Sequence, residues 1–258
     1  MNKTQLWLET VKNKKSQLCV GVDPTFSRAD SKRRLSDGTD KFAWCQKIIK
    51  DVAEYSAAVK INRNYIKDLS GEAVTELNSL IHELGMVSID DSKIADIESS
   101  NSEGLFQAKN EGFDYVTHCP YPGNIKDATQ AAHSYDLGLI TVLIMSTPTF
   151  LPLRNAMYEG KPLYDLFCAQ IKESGCDGIV LGAQSVKNEI EQNLIQHIHS
   201  IVGKKLVLIP GVGAQGGDAG GILKLFGDHC IVNVGRDVIY SENPAQKARY
   251  YRDLIRTL

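Results

Sequence analysis

At 258 residues, 43% apolar and 23% charged, the chain has the composition of an ordinary soluble globular protein and the length of one (β/α)8 barrel of about 250 residues. A formal net charge of −2 provides none of the bulk positive potential that draws nucleic acid or anionic membrane. The opening MNKTQLWLETVKNKKSQL has no signal-peptide core, and the apolar run LITVLIM (139–145) falls far short of the ~20 residues that span a bilayer. A cytoplasmic protein with no membrane or nucleic-acid partner is expected.

Short apolar runs bounded by polar residues or glycine recur along the chain and read as buried strands. In order they are LCVGV (18–22), AAVKI (57–61), MVSID (86–90), DYVTH (114–118), LITVLIM (139–145), GIVLG (178–182), LVLIP (206–210) and CIVNV (230–234). The segments between them carry helical spacing. Phe42, Cys45, Ile48, Ile49, Val52 and Ala53 share one face; so do Ile190, Leu194, Ile195, His197, Ile198 and Ile201. On this spacing His197 is a packing residue. KNKK (12–15) reads as a solvated loop before the first strand, and FSRADSKRRLSDGTD as a long polar loop before the helix over 42–53. Eight alternating strand–helix units predict a closed parallel barrel, a single α/β domain covering 1–258.

The six cysteines (19, 45, 119, 168, 176 and 230) form no CxxC pair and read as free thiols in a reducing compartment. His118 and Cys119 end a strand, but no partner stands at ligand spacing, so His118 reads as a rim histidine and not a metal ligand. SKRRLSD (31–37) is basic but short, without the interleaved aromatics of an RNA site.

The barrel expectation says where chemistry sits: at the C-terminal ends of the strands. Asp23, Lys60, Ser146 and the stretch DDSKIADI all fall there. After strand seven comes IPGVGAQGGD (209–218), four glycines in ten residues, and after strand eight VGRDVIY (234–240). Loops at these two positions often bind phosphate through backbone N–H groups, and Arg236 adds a permanently charged fork. Gln215 is placed to close over such a ligand. No Walker loop is present, and no G-x-G-x-x-G opens a helix after the first strand. Asp91-x-Lys93-x-x-Asp96 with Lys60 one strand earlier would place two lysines and two aspartates in one buried mouth, each keeping the others ionised.

Together GVDP with Asp23, VKIN with Lys60, the DxKxxD of DDSKIADI, IMST with Ser146, PGVGAQGGD and VGRDVIY resemble the orotidine 5′-monophosphate decarboxylase family, over about 20–240 and in the same strand order. The resemblance implies loss of CO₂ from C6 of orotidine 5′-monophosphate to give UMP, the last step of de novo pyrimidine synthesis, with no metal and no organic cofactor. It implies catalytic roles for Lys93 as proton donor to C6, Asp91 near the substrate carboxylate, Lys60 orienting Asp91, and Asp96 supplied across a homodimer with shared active sites. Substrate binding would fall to Asp23 and Ser100 at the ribose side, Ser146 at the pyrimidine edge, and Gln215, Gly235 and Arg236 at the phosphate. Ser100 stands where Thr is common, Gln184 where Thr is usual, and the segment after Ser146 is longer than in compact members; it reads as either a lid or a surface insertion. DxKxxD is shared with sibling barrels. Two other readings therefore stand beside this one: a magnesium-dependent sugar-phosphate lyase or decarboxylase, needing a further carboxylate such as Asp90 or Glu98, and a non-catalytic barrel binding nucleotide monophosphates.

Overall fold

The computed structural model describes residues 2–27, 33–184, 190–213 and 218–258. Eight parallel strands close into a barrel in chain order: β1 (Leu18–Gly21), β2 (Ala58–Ile61), β3 (Val87–Ile94), β4 (Tyr115–His118), β5 (Gly138–Ile144), β6 (Gly178–Leu181), β7 (Leu206–Ile209) and β8 (Cys230–Val234), with β8 pairing back to β1. All eight strands expected from sequence are present. β3 differs most in extent. It runs four residues further than MVSID implied, so Asp91 and Lys93 lie on the strand and not beyond it.

The two-residue period of a strand explains how one sequence builds both a dry core and a charged mouth. Cys19, Ala58, Ile89, Tyr115, Ile140, Val142, Val180, Leu208 and Ile231 pack inside the barrel. One period further toward the C-terminal end, Ala58 is followed by Lys60, Ile89 by Asp91 and Tyr115 by Thr117. The intervening residues, such as Val20, Val59, Val116 and Leu139, face the helices. The helix Lys41–Val52 buries Cys45, Ile48, Ile49 and Val52 against them, and its N-terminus is capped by Asp40, which accepts from the Ala43 N–H at 3.1 Å.

A helix at Lys3–Lys14 takes the place of the loop read at 12–15. It covers the N-terminal end of the barrel. Trp7 is fully buried and donates its indole N–H to Asp228 O at 2.8 Å, and Tyr115 at the start of β4 donates to Lys3 O at 2.6 Å. Lys14, in the last helical turn, donates to Ala53 O and Leu84 O, tying the plug to two crossover segments. These contacts come from distant parts of the chain, so the local sequence carries no trace of them. His197 also departs from expectation. It is exposed and bonds Asp165 on the neighbouring helix at 2.7 Å, while Ile195, Ile198 and Val202 form the buried face of Gln192–Val202.

His118 is fully buried and not at the rim. Its Nε2 lies 3.3 Å from Asn124 Oδ1 and its Nδ1 3.4 Å from Thr141 Oγ1. Burial pushes its pKa down to about 4, so the ring is neutral near pH 7. The expected loop before the helix Lys41–Val52 falls partly on 28–32, outside the described residues. All six cysteines are free, five of them buried. No helix among the described residues is long and apolar enough to cross a membrane.

Candidate active site

At the C-terminal mouth, Asp91 is the centre of a charged cluster. Lys60 Nζ donates to its Oδ2 at 2.7 Å and Lys93 Nζ to its Oδ1 at 2.6 Å. Asp23 at the end of β1 adds a second carboxylate 3.9 Å from Lys60 Nζ, and its Oδ1 accepts from the Asn62 N–H at 3.3 Å. Burial alone would raise the Asp91 carboxyl, but the two ammoniums outweigh it and hold it below the usual carboxylate range. Burial likewise pulls Lys60 down. Asp23 and Asp91 overcome that and raise it above an ordinary lysine. At these distances a pair attracts by roughly 6 kcal/mol at an effective dielectric near 20, against several kcal/mol per ion to leave water. Such a cluster stays ionised but contributes little net stability; its value is a preset field in the mouth.

The backbone that presents Asp91 and Lys93 is irregular. Between Asp90 and Ile94 on β3, only Val116 to His118 run alongside on β4. The surplus forms a bulge carrying Asp91, Ser92 and Lys93, and Lys93 sits at φ 51, a left-handed conformation uncommon for a non-glycine residue. Thr117, buried on β4, spans the bulge. Its hydroxyl accepts from the Lys93 N–H at 2.9 Å and lies 3.1 Å from Asp91 Oδ1. Asp90 points elsewhere: it pairs with Ser92 and lies near Arg63 and Glu111, and burial raises its pKa to about 6.

Asp96 is not part of this cluster within the chain. It is exposed, just ahead of the helix Glu98–Asn110, beside Ile97, which is 62% exposed, and Ser100 is exposed on that helix's first turn. Its backbone is clamped from beneath. Asn101 and Asn124 each donate to Asp96 O at 2.8 Å, and the Asp96 N–H donates to Asn101 Oδ1 at 3.1 Å.

Ser146 follows β5, half-buried. Gly182, after β6, exists because of it: a Cβ there would lie 2.6 Å from both Ser146 N and Cα. Beyond Ser146, Phe150 is buried while Leu151, Leu153, Met157 and Tyr158 are exposed. The segment closes on a small hairpin, Met157–Tyr158 against Lys161–Pro162, turned through Glu159 and Gly160 at positive φ.

On the other side of β1, Gly235 and Arg236 open the short helix Arg236–Ile239. Gly21 and Gly235 meet closely; a Cβ on Gly235 would be 3.3 Å from Gly21 O. Asp237 is held by Tyr251 at 2.6 Å and Lys247 at 3.1 Å, and among the described residues Arg236 forms no salt bridge. Gly213 has φ +91. Gln215 lies outside the described residues, as do Ala214, Gly216 and Gly217. The end of that loop is tied to the tail of β6, Gln184 N–H to Asp218 O at 3.1 Å and Asp218 N–H to Gln184 O at 2.7 Å. Gln184 thus contributes backbone, with its side chain exposed. Because β1 pairs with both β2 and β8, Lys60 and Gly235 are two strand spacings apart, roughly 10 Å.

Thr117, Asn62, Asn101 and Asn124 were not found from sequence. A threonine one period after the buried Tyr115 was the available signal for the first; the three asparagines act through backbone contacts that no spacing reveals.

Closed parallel barrel, Lys–Asp–Lys cluster at its C-terminal mouth, and glycine–arginine end one strand beyond β1 define a (β/α)8-barrel enzyme with its charged groups at the C-terminal ends of the strands. The Orotidine 5'-phosphate decarboxylase / HUMPS family model matches residues 16–251. An orotidine 5'-phosphate decarboxylase from Cupriavidus necator is 31% identical over 254 residues, covering 93% of this chain and 89% of that protein; one from Methanocaldococcus jannaschii is 27% identical over 211 residues, covering 81% and 91%. The chain belongs to this family. Among solved structures, an OMP decarboxylase from Leishmania donovani superposes with a TM-score of 0.80 at 21% identity, covering 100% of this chain and 98% of that one. The Methanocaldococcus jannaschii enzyme complexed with the inhibitor BMP superposes at 0.71 and 24% identity, covering 92% and 97%. Both carry the same fold.

Proposed function

We propose that this chain is an orotidine 5′-monophosphate decarboxylase, a carboxy-lyase forming UMP in pyrimidine biosynthesis, and that Lys93 is its proton donor. The observation that carries the reading is the pair of ammoniums fixed on one buried carboxylate at the barrel mouth. Loss of CO₂ from C6 leaves an electron pair on a ring carbon. A cation already held there favours the transition state over the bound substrate, and the same ammonium then delivers the proton to C6. Asp91 aims Lys93, and Lys60 holds Asp91 from the other oxygen. Asp23 receives the ribose hydroxyls, Ser146 the pyrimidine edge, and Arg236, the Gly235 N–H and Gln215 the phosphate. Binding energy at that remote end is available to drive ordering around the ring.

Asp96 completes the row across a homodimer. Its exposure, the Asn101–Asn124 clamp and the exposed Ile97 beside it support presentation to a second copy, with Ser100 alongside. Each mouth would then hold the partner subunit's Asp96. The reaction runs without metal or organic cofactor, in one barrel domain spanning 1–258. The free, mostly buried cysteines fit a reducing cytoplasm. A magnesium-dependent sugar-phosphate reaction would need a further carboxylate beside Asp91, and Asp90 is engaged with Ser92 instead.

The deciding experiment is the ultraviolet change on mixing purified protein with orotidine 5′-monophosphate in EDTA. Conversion to UMP is expected; activity that appears only with added magnesium would overturn the reading.

A further inference from the structure

Thr117 has no role in the chemistry above, yet it touches both reacting-site groups. It is fully buried, at the C-terminal end of β4, opposite the β3 bulge. A bulge leaves backbone N–H groups without a ladder partner, and a buried orphan N–H is costly. Here the Lys93 N–H donates to Thr117 Oγ1 at 2.9 Å. The hydroxyl's own proton has two acceptors in range, Asp91 Oδ1 at 3.1 Å and Asp90 O at 3.4 Å. The nearer and charged one is the stronger acceptor. Asp91 Oδ1 thereby receives both the Thr117 hydroxyl and the Lys93 ammonium.

We infer that Thr117 is a positioning residue for decarboxylation, a single hydroxyl that pins the left-handed backbone of Lys93 and one oxygen of Asp91 at once and so sets the geometry of the proton donor. Valine has the same branched shape without the hydroxyl; it would fill the space and release both groups. Serine keeps the hydroxyl and loses a methyl. The role rests on the decarboxylase reading.

The test is steady-state turnover of orotidine 5′-monophosphate by wild type, Thr117→Val, Thr117→Ser and Thr117→Cys, with a pH profile and thermal melt for each. Thr117→Val should lower kcat about ten- to a hundredfold with KM changed less than about threefold, the loss of a buried polar pair acting on chemistry and not on phosphate grip. Its acid limb should move to higher pH, because a donor to the ionised Asp91 has gone. Thr117→Ser should recover most of kcat. A folded Thr117→Val with wild-type kcat and an unmoved acid limb overturns the inference. Equal damage from Val and Ser overturns it too, since the side chain's shape would then be what matters. If the valine variant does not fold, Thr117→Cys, with its weaker donor, takes its place under the same criteria. A wild-type protein that shows no turnover overturns the functional reading itself, and this role with it. Wild-type turnover with an indifferent Thr117 overturns only this role.

Discussion

Lys93 Nζ lies 2.6 Å from Oδ1 of Asp91, two residues earlier on the same strand, and the bulge between β3 and β4 carries both residues. Lys93→Ala should lower kcat on orotidine 5′-monophosphate by at least about a thousandfold, the scale of losing a positioned proton donor together with its field. The melting temperature should stay near wild type, because Lys60 still compensates Asp91. Near-normal turnover in the ultraviolet assay would remove Lys93 from the chemistry.

Arg236→Ala tests the phosphate end. Loss of a bidentate charge-assisted contact corresponds to roughly ten- to a hundredfold in binding. KM should rise by that factor, and by more than kcat falls, if the guanidinium grips ground and transition states alike. An unchanged KM places the phosphate elsewhere.

Mixing inactive Lys93→Ala subunits with inactive Asp96→Ala subunits should restore activity to roughly a quarter of the wild-type level, since in each heterodimer one mouth keeps both groups. Subunit exchange followed by turnover measurement decides it. No recovery, with heterodimers shown to form, argues against sharing of the site.

Asp90 gives a stability prediction with a defined sign. Its folded pKa is raised to about 6 by burial, so between the ordinary carboxylate range and pH 6 the folded state holds a proton the unfolded state has released. Stability from this group is present at low pH and is lost as pH rises through that window. Asp90→Asn removes the dependence. Its stability relative to wild type should grow from pH 4 to 6 and level off above, by about 1–3 kcal/mol at pH 7. Denaturant midpoints that shift in parallel at every pH would contradict this.

Gly182→Ala should destabilise by about 1–3 kcal/mol through overpacking, because the new methyl would lie 2.6 Å from Ser146 backbone atoms. The strand tail must move, and Ser146 with it. A rise in KM alongside a lowered melting temperature is expected; a variant with wild-type melting and KM would mean that the two tails have room to spare.

Much of this molecule was readable in advance. Period-two burial and glycine punctuation are local properties, and they placed all eight strands to within a few residues. Helical spacing found the face around Cys45, Ile48 and Ile49 for the same reason. It misassigned His197, which sits one step off the Ile195–Ile198 line, far enough round the helix to reach solvent and Asp165. The N-terminal helix escaped notice because its stabilising partners, Asp228, Tyr115 and Ala53, are remote in the chain.

The candidate site divides along the same line. The order and type of Asp23, Lys60, Asp91, Lys93, Ser146 and Arg236 are properties of the chain, and strand alternation sends Lys60 and Asp91 inward one period above a buried residue. What no spacing contains is the bulge that lengthens β3, the left-handed Lys93, the Thr117 hydroxyl that satisfies it from the next strand, and the asparagines that hold Asp96 outward. Each depends on two segments meeting in register. Local sequence sets which face a side chain takes, but only the closed barrel decides what stands opposite it.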